Sequence, residues 1–165
     1  MANLCKLIKH TVLGATIGPF TALFLTIIFF GTMGGSTGRR RWLGIVIRQS
    51  LPDGQVRLPA RIVAERRVNP WDFLLVEVDD AGLDQHIKTL QTNMVADDEW
   101  YAHYFWQNEL KVVFRDARFD VTLDRNTWES VIRYGLAMGI PREQLDFKPA
   151  TRREALQFFG LSADR

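Results

Sequence analysis

Residues 71–123, WDFLLVEVDDAGLDQHIKTLQTNMVADDEWYAHYFWQNELKVVFRDARFDVTL, switch between two hydrophobic periods, and that switching sets the fold class. Trp71–Val78 (WDFLLVEV) is rich in β-forming residues and runs into Asp79-Asp80-Ala81-Gly82, a turn signal. From Leu83 to Met94 the residues Leu83, Ile87, Leu90 and Met94 recur every three or four positions, as on the buried face of a helix. Three strands follow at Trp100–Trp106, Leu110–Arg115 and Arg118–Leu123, with tight turns at Gln107-Asn108 and Asp116-Ala117. The order β–α–β–β–β predicts an α+β domain built on an antiparallel sheet.

Toward the C-terminus, Asp124–Thr127 reads as a helix start. Trp128, Val131, Ile132, Gly135 and Leu136 then make one helical face that ends near Gly139, before Pro141. Leu145-Asp146-Phe147 reads as a short extended piece, and Thr151–Phe159 as a last helix stopped by Gly160. The expected architecture is a small antiparallel sheet with helices packed on one face. Its expected core is Trp71, Phe73, Leu75, Ile87, Phe114, Phe119, Val121, Trp128, Val131, Ile132 and Leu136.

Toward the N-terminus, Leu43–Ile47 and Val56–Val63 read as strands joined across Leu51-Pro52-Asp53-Gly54. That makes residues 43–68 a basic β-hairpin and residues 69–165 the α+β domain proper. In the second strand Val56, Leu58, Ala60 and Ile62 alternate with Arg57, Pro59, Arg61 and Val63, one face apolar and the other bearing arginine.

Tyr101-Ala102-His103-Tyr104-Phe105, Val112-Val113-Phe114-Arg115-Asp116, Trp128, Tyr134-Gly135 and Ile140-Pro141-Arg142-Glu143-Gln144-Leu145-Asp146-Phe147 together resemble a small uncharacterised bacterial domain. The resemblance covers about residues 71–149. It implies a bacterial source and an intracellular domain, and it brings no activity.

Beyond the hairpin lies a different material. Thr11–Gly38 (TVLGATIGPFTALFLTIIFFGTMGGSTG) carries no charge. About 20 apolar residues at ~1.5 Å rise cross a hydrocarbon layer ~30 Å thick, so residues 11–33 read as a transmembrane helix. A buried soluble helix rarely runs so long without a charge. A cleaved signal peptide has a shorter apolar core, and Arg39-Arg40-Arg41 reads as a stop-transfer flank. Gly14 and Gly18 form a GxxxG, the spacing at which two membrane helices approach closely, so a homodimer through the span is an expectation. Residues 1–10 form a tail and residues 34–42 a glycine- and arginine-rich neck.

Charge is sorted along the chain. Residues 1–38 carry only Lys6 and Lys9; residues 39–67 carry eight arginines against Asp53 and Glu65; residues 68–165 carry 11 basic and 17 acidic side chains. The Lys/Arg count near the span places the C-terminal domain in the cytoplasm, against a bacterial inner membrane. The collar of Arg39, Arg40, Arg41, Arg48, Arg57, Arg61, Arg66 and Arg67 sits directly beyond the span, where anionic headgroups are always near. Trp42 is expected at the membrane interface with them. An acidic protein partner is the second reading of the collar and nucleic acid the third; the acidic domain opposes a phosphate backbone.

Chemistry is sparse. The chain has no GxxxxGK[ST], GxGxxG, HExxH or GxSxG. The single cysteine, Cys5, lies in the tail, and His10, His86 and His103 are scattered, so no metal and no cofactor is expected. His103 alternates with Tyr101 and Phe105 and reads as a packed sheet residue. Lys111, Arg115, Tyr101 and Trp106 are expected on an exposed face of the three-strand sheet. The reading is a single-pass accessory or assembly subunit that works through lipid and protein contacts with the other subunits of a membrane complex. Its rivals are a membrane-tethered enzyme using Asp97, Asp98, Glu99 and His103, and a nucleic-acid binder using the collar.

Overall fold

The structure, a computed structural model, describes residues 39–52, 57–96, 100–147 and 149–162. The expected tail, span and GxxxG, together with Asp53-Gly54 and Asp97–Glu99, lie outside the described residues. Among the described residues no helix is long and apolar enough to cross a membrane.

Six strands make one antiparallel sheet: β1 (Arg41–Ile47), β2 (Arg61–Val68), β3 (Trp71–Asp79), β4 (Tyr101–Trp106), β5 (Glu109–Phe114) and β6 (Arg118–Val121). Among the described residues three helices accompany them: α1 (Leu83–Asn93), α2 (Glu129–Ala137) and α3 (Arg152–Phe158), with single 3-10 turns at Arg48–Ser50, Arg125–Trp128 and Arg142–Gln144. The α+β class is as expected. The spatial order is β2-β3-β1-β4-β5-β6.

That order corrects the expected hairpin over 43–68. β1 does not pair with β2; β3 lies between them, matching Arg41 to Asp79 on one side and Arg61 to Glu77 on the other. β2 and β3 form the hairpin, turning at Asn69 and cis-Pro70. β1 also pairs with β4, Leu43 opposite Phe105 and Ile45 opposite His103. The supposed appendage thus supplies the central strand, and the break expected at residue 68 cuts through a continuous sheet.

The expectation of helices on one face also fails, because both faces of the central strands are buried. One face carries Trp42, Gly44, Val46, Val76 and Tyr104, and α1 covers it: His86 Nε2 lies 2.7 Å from the Tyr104 hydroxyl. The other face carries Leu43, Ile45, Phe73, Leu75, His103 and Phe114, and the C-terminal third covers it. Tyr134 of α2 packs on Phe114 at 4.9 Å between ring centroids, and Phe158 of α3 meets Phe73 edge-on at 5.5 Å. A strand buried on both faces needs a continuous apolar run, and LGIVI in β1 and FLLV in β3 provide it.

Two close approaches hold these layers in register. At Gly44 an added Cβ would stand 2.3 Å from Tyr104 Cε1 and 2.8 Å from Val76 Cγ2, so the tyrosine ring occupies the space a side chain would fill. At Gly135 it would stand 2.5 Å from Leu145 Cδ2, which lets α2 press against the segment after it. α3 starts on a capping box, Thr151 accepting from the Glu154 amide and Glu154 accepting from the Thr151 amide at 2.7 Å. Most of the expected core is buried, but Leu136 is 44% exposed, so the apolar face of α2 is narrower than its sequence suggests.

Candidate functional site

The arginine collar divides. β1, β2 and β3 are antiparallel neighbours, so the starts of β1 and β2 and the end of β3 share one end of the sheet, with the Gln107-Asn108 turn beside them. Arg39, Arg40, Arg41 and Arg61 gather there. Arg48, Arg66 and Arg67 sit at the opposite end, about 17 Å away along β3. Arg48 pairs with Glu65 at 2.7 Å and Arg67 with Asp72 at 3.5 Å. Arg66 donates to the Phe158 carbonyl and its guanidinium lies 4.6 Å over the Phe158 ring, fastening β2 to α3. Arg57 is exposed in the loop before β2.

Trp42 is corrected from interface residue to core. It is 1% exposed, its indole N–H donates to Asp80 at 2.8 Å, and the Lys111 ammonium stands 4.9 Å over its ring. The tryptophan at the surface of this end is the half-buried Trp106, with the Arg40 guanidinium 4.6 Å over it and Glu109 3.8 Å from Arg40.

The gathered end is organised around Glu77. This carboxylate, 7% exposed, is 2.7 Å from Arg61 and 3.3 Å from Arg41 through Oε1, and 3.7 Å from Arg152 through Oε2. Burial by itself would raise the Glu77 carboxyl. The hydrogen bond and charge of Arg61, then the charges of Arg41 and Arg152, outweigh that and hold it below the usual carboxylate range. One carboxylate thus faces three guanidiniums, and a fourth, Arg39, has no ion pair among the described residues. The nearby acids are otherwise engaged: Asp79 accepts from the Gly82 amide and Asp80 from Trp42.

A concavity of about 460 Å³ opens at this place, lined by Arg39, Arg41 and Arg152 with Leu43, Phe105, Trp106, Gln107, Asn108 and Thr151. Gln107 holds φ at 51°, which turns β4 into β5 in two residues and forms the rim. No family model, curated protein or solved structure matches the chain. The chemistry of the site therefore rests on its own side chains: they offer positive charge and hydrogen-bond donors over an apolar floor.

The histidines are arranged differently. His103 is buried on the face that Phe147 covers, with the two rings 5.9 Å apart, and burial lowers it to about 4. His86 is lowered to about 4 by burial, with the Pro59 carbonyl pulling weakly the other way; its Nε2 meets Tyr104. Both rings are neutral packing elements near pH 7. Among the described residues no three His, Cys, Asp or Glu side chains gather as metal ligands. The expected aromatic–basic sheet face does not form. Trp106 and Lys111 lie on the α1 side of the sheet, whereas Tyr101 packs against Phe147 on the other.

Sequence reasoning missed Glu77 and Arg152. The first had a signal: a lone carboxylate inside WDFLLVEV must be buried in a strand, and buried carboxylates need partners. Arg152, 75 residues further on, had none.

Proposed function

We propose that the chain is a single-pass accessory subunit of a bacterial inner-membrane complex. Residues 11–33 are its anchor, and the α+β domain lies on the cytoplasmic side. The domain acts by contact, holding its arginine-bearing end against anionic headgroups and neighbouring subunits. The observation that carries this reading is the convergence of Arg39, Arg40, Arg41, Arg61 and Arg152 at the end of the sheet where residues 1–38 join the domain. Two of these five come from distant segments, and among the described residues only two carboxylates, Glu77 and Glu109, pair with them. Each basic group near an anionic surface contributes ~1 kcal/mol, and five act together. The far-end arginines are paired with carboxylates or bound to α3, so they add little to such a field.

Hydrogen exchange on the full chain in nanodiscs tests the docking. With ~30% phosphatidylglycerol, amides of residues 39–41 and 106–109 should be protected relative to pure phosphatidylcholine. The protection should vanish at 1 M salt, where the Debye length falls to ~3 Å, and in the triple variant Arg39→Gln, Arg40→Gln, Arg41→Gln. Equal exchange in both lipids removes the docking role. Gentle detergent extraction should recover the chain in an assembly larger than its own 19.0 kDa; a chain that always runs alone removes the subunit role.

A further inference from the structure

The concavity beside Glu77 is more selective than a charged surface. The geometry points to a binding site for a phosphate monoester, carried by a lipid headgroup or by a small soluble ester, gripped between Arg39 and Arg41 on one side and Arg152 on the other. This deepens the membrane-surface reading and adds a defined ligand group to it.

The argument starts from donors. A guanidinium has five N–H groups. Arg61 sits closest to Glu77 and spends its charge there at 2.7 Å. Arg152 stands 3.7 Å from Oε2, too far for a good hydrogen bond, so Glu77 orients it without consuming its donors. Arg41 is 3.3 Å from Oε1 and 67% exposed, and Arg39 has no ion pair among the described residues. Glu154, the other carboxylate beside Arg152, accepts from the Thr151 amide and hydroxyl at 2.7 and 2.8 Å. Three guanidiniums face Glu77 and Arg39 lines the same concavity, so the site holds an excess of positive charge and three sets of largely unspent, forked donors.

A phosphate monoester carries close to two negative charges near pH 7 and three acceptor oxygens, which fits donors converging from two sides. A phosphodiester or a carboxylate offers one charge and fewer oxygens. The apolar floor of Leu43 and Phe105, with Trp106 at the wall, accommodates the carbon side of the ester. The concavity also distinguishes this place from the part of the collar formed by Arg48, Arg57 and Arg67, none of which lines it.

The test uses the full chain in nanodiscs and the variant Arg152→Gln. That change leaves Glu77 paired with Arg61 and Arg41 and lies outside the collar, so an unchanged near-UV circular dichroism spectrum is expected. In one arm, glycerol 3-phosphate is titrated against the chain in phosphatidylcholine and followed by 31P line broadening. In the other, the bilayer itself holds ~20% phosphatidic acid or ~20% phosphatidylglycerol, and docking is read by hydrogen exchange at residues 106–109. Wild type should bind the monoester in at least one arm, and Arg152→Gln should weaken that binding fiftyfold or more, while docking on phosphatidylglycerol falls only about fivefold, the ~1 kcal/mol of one basic group. Arg152→Lys should recover only part of it, since an ammonium lacks the fork. Binding in the soluble arm alone identifies a small ester, and binding in the phosphatidic acid arm alone a headgroup. Monoester binding in neither arm, or an equal loss on both lipids in Arg152→Gln, overturns the site. Loss of phosphatidylglycerol docking by wild type would instead overturn the surface reading.

Discussion

Replacing Glu77 with glutamine should move stability and membrane docking in opposite directions. The carboxylate is 7% exposed and is the shared partner of Arg41, Arg61 and Arg152. A hydrogen bond to a charged group contributes ~1.5–3 kcal/mol when well formed. The three arginines are 67, 62 and 54% exposed, so water screens them and each pair keeps only ~0.2–1 kcal/mol. The neutral amide should therefore cost about 1–3 kcal/mol, with Arg61 as the main loss. Glu77 is held below the usual carboxylate range, so this contribution is present above the ordinary carboxyl pKa and is intact at pH 7. Chemical denaturation of the full chain in a neutral detergent, followed by tryptophan fluorescence, measures it. The difference from wild type should shrink between 0.1 and 1 M salt as the Debye length falls from ~10 to ~3 Å. Docking should go the other way. Removing one negative charge amid the cations is worth ~1 kcal/mol near an anionic leaflet, about a fivefold gain on phosphatidylglycerol nanodiscs. A variant as stable as wild type that docks no better would show that Glu77 does not organise this end.

Acid should unfold the domain. His86 and His103, both lowered to about 4 by burial, are neutral when folded and take up protons near 6.5 when unfolded. Stability is therefore full above about pH 6.5 and is lost as pH falls from there toward 4, by roughly 3 kcal/mol for each ring. Near-UV circular dichroism should record the loss, and a folded protein with either ring charged at pH 6 by NMR would contradict it. Truncation tests the topology: residues 39–165 should fold cooperatively, and residues 69–165 should not, because without β1 there is no strand to join β3 to β4. A cooperative melt of the shorter fragment would refute the sheet order.

The elements from residue 71 onward were legible because each writes its period locally. Leu83, Ile87 and Leu90 mark α1, the two-residue turn at Gln107-Asn108 closes β4 on β5, and Thr151 with Glu154 starts α3. Strand neighbours were not legible. Periodicity tells which face a residue takes but not which strand lies beside it, and a short connection with a turn signal invites a hairpin that β3 in fact interrupts. The unbroken runs in β1 and β3 carried the corrective signal, since strands buried on one side alternate. Trp42 was misplaced for a related reason. Its arginine neighbours suggested an interface, but in β1 it shares a face with Gly44 and Val46, under α1. The site was half written: the cations stood in the sequence, and the carboxylate that gathers them needed the register of β2 on β3.

What separates the two sets of arginines is how much of each guanidinium is already spent. Arg66 gives a hydrogen bond to the Phe158 carbonyl and covers the Phe158 ring, so its loss would loosen α3 from the sheet. Arg48 and Arg67 face one carboxylate each, so the far end of the sheet is close to neutral where they stand. Near residue 39 the same residue type outnumbers its partners, and the one central carboxylate is buried, with its pKa lowered by the cations it holds. Such an arrangement stores attraction for an anion without collapsing on itself, because Glu77 offsets part of the mutual repulsion of Arg41, Arg61 and Arg152. Fold and docking can then be altered separately: changes at Arg66 act through packing, changes at Arg39 or Arg152 through unspent charge. The field at the end of the sheet near residue 39 follows from register and burial more than from the number of arginines in the collar.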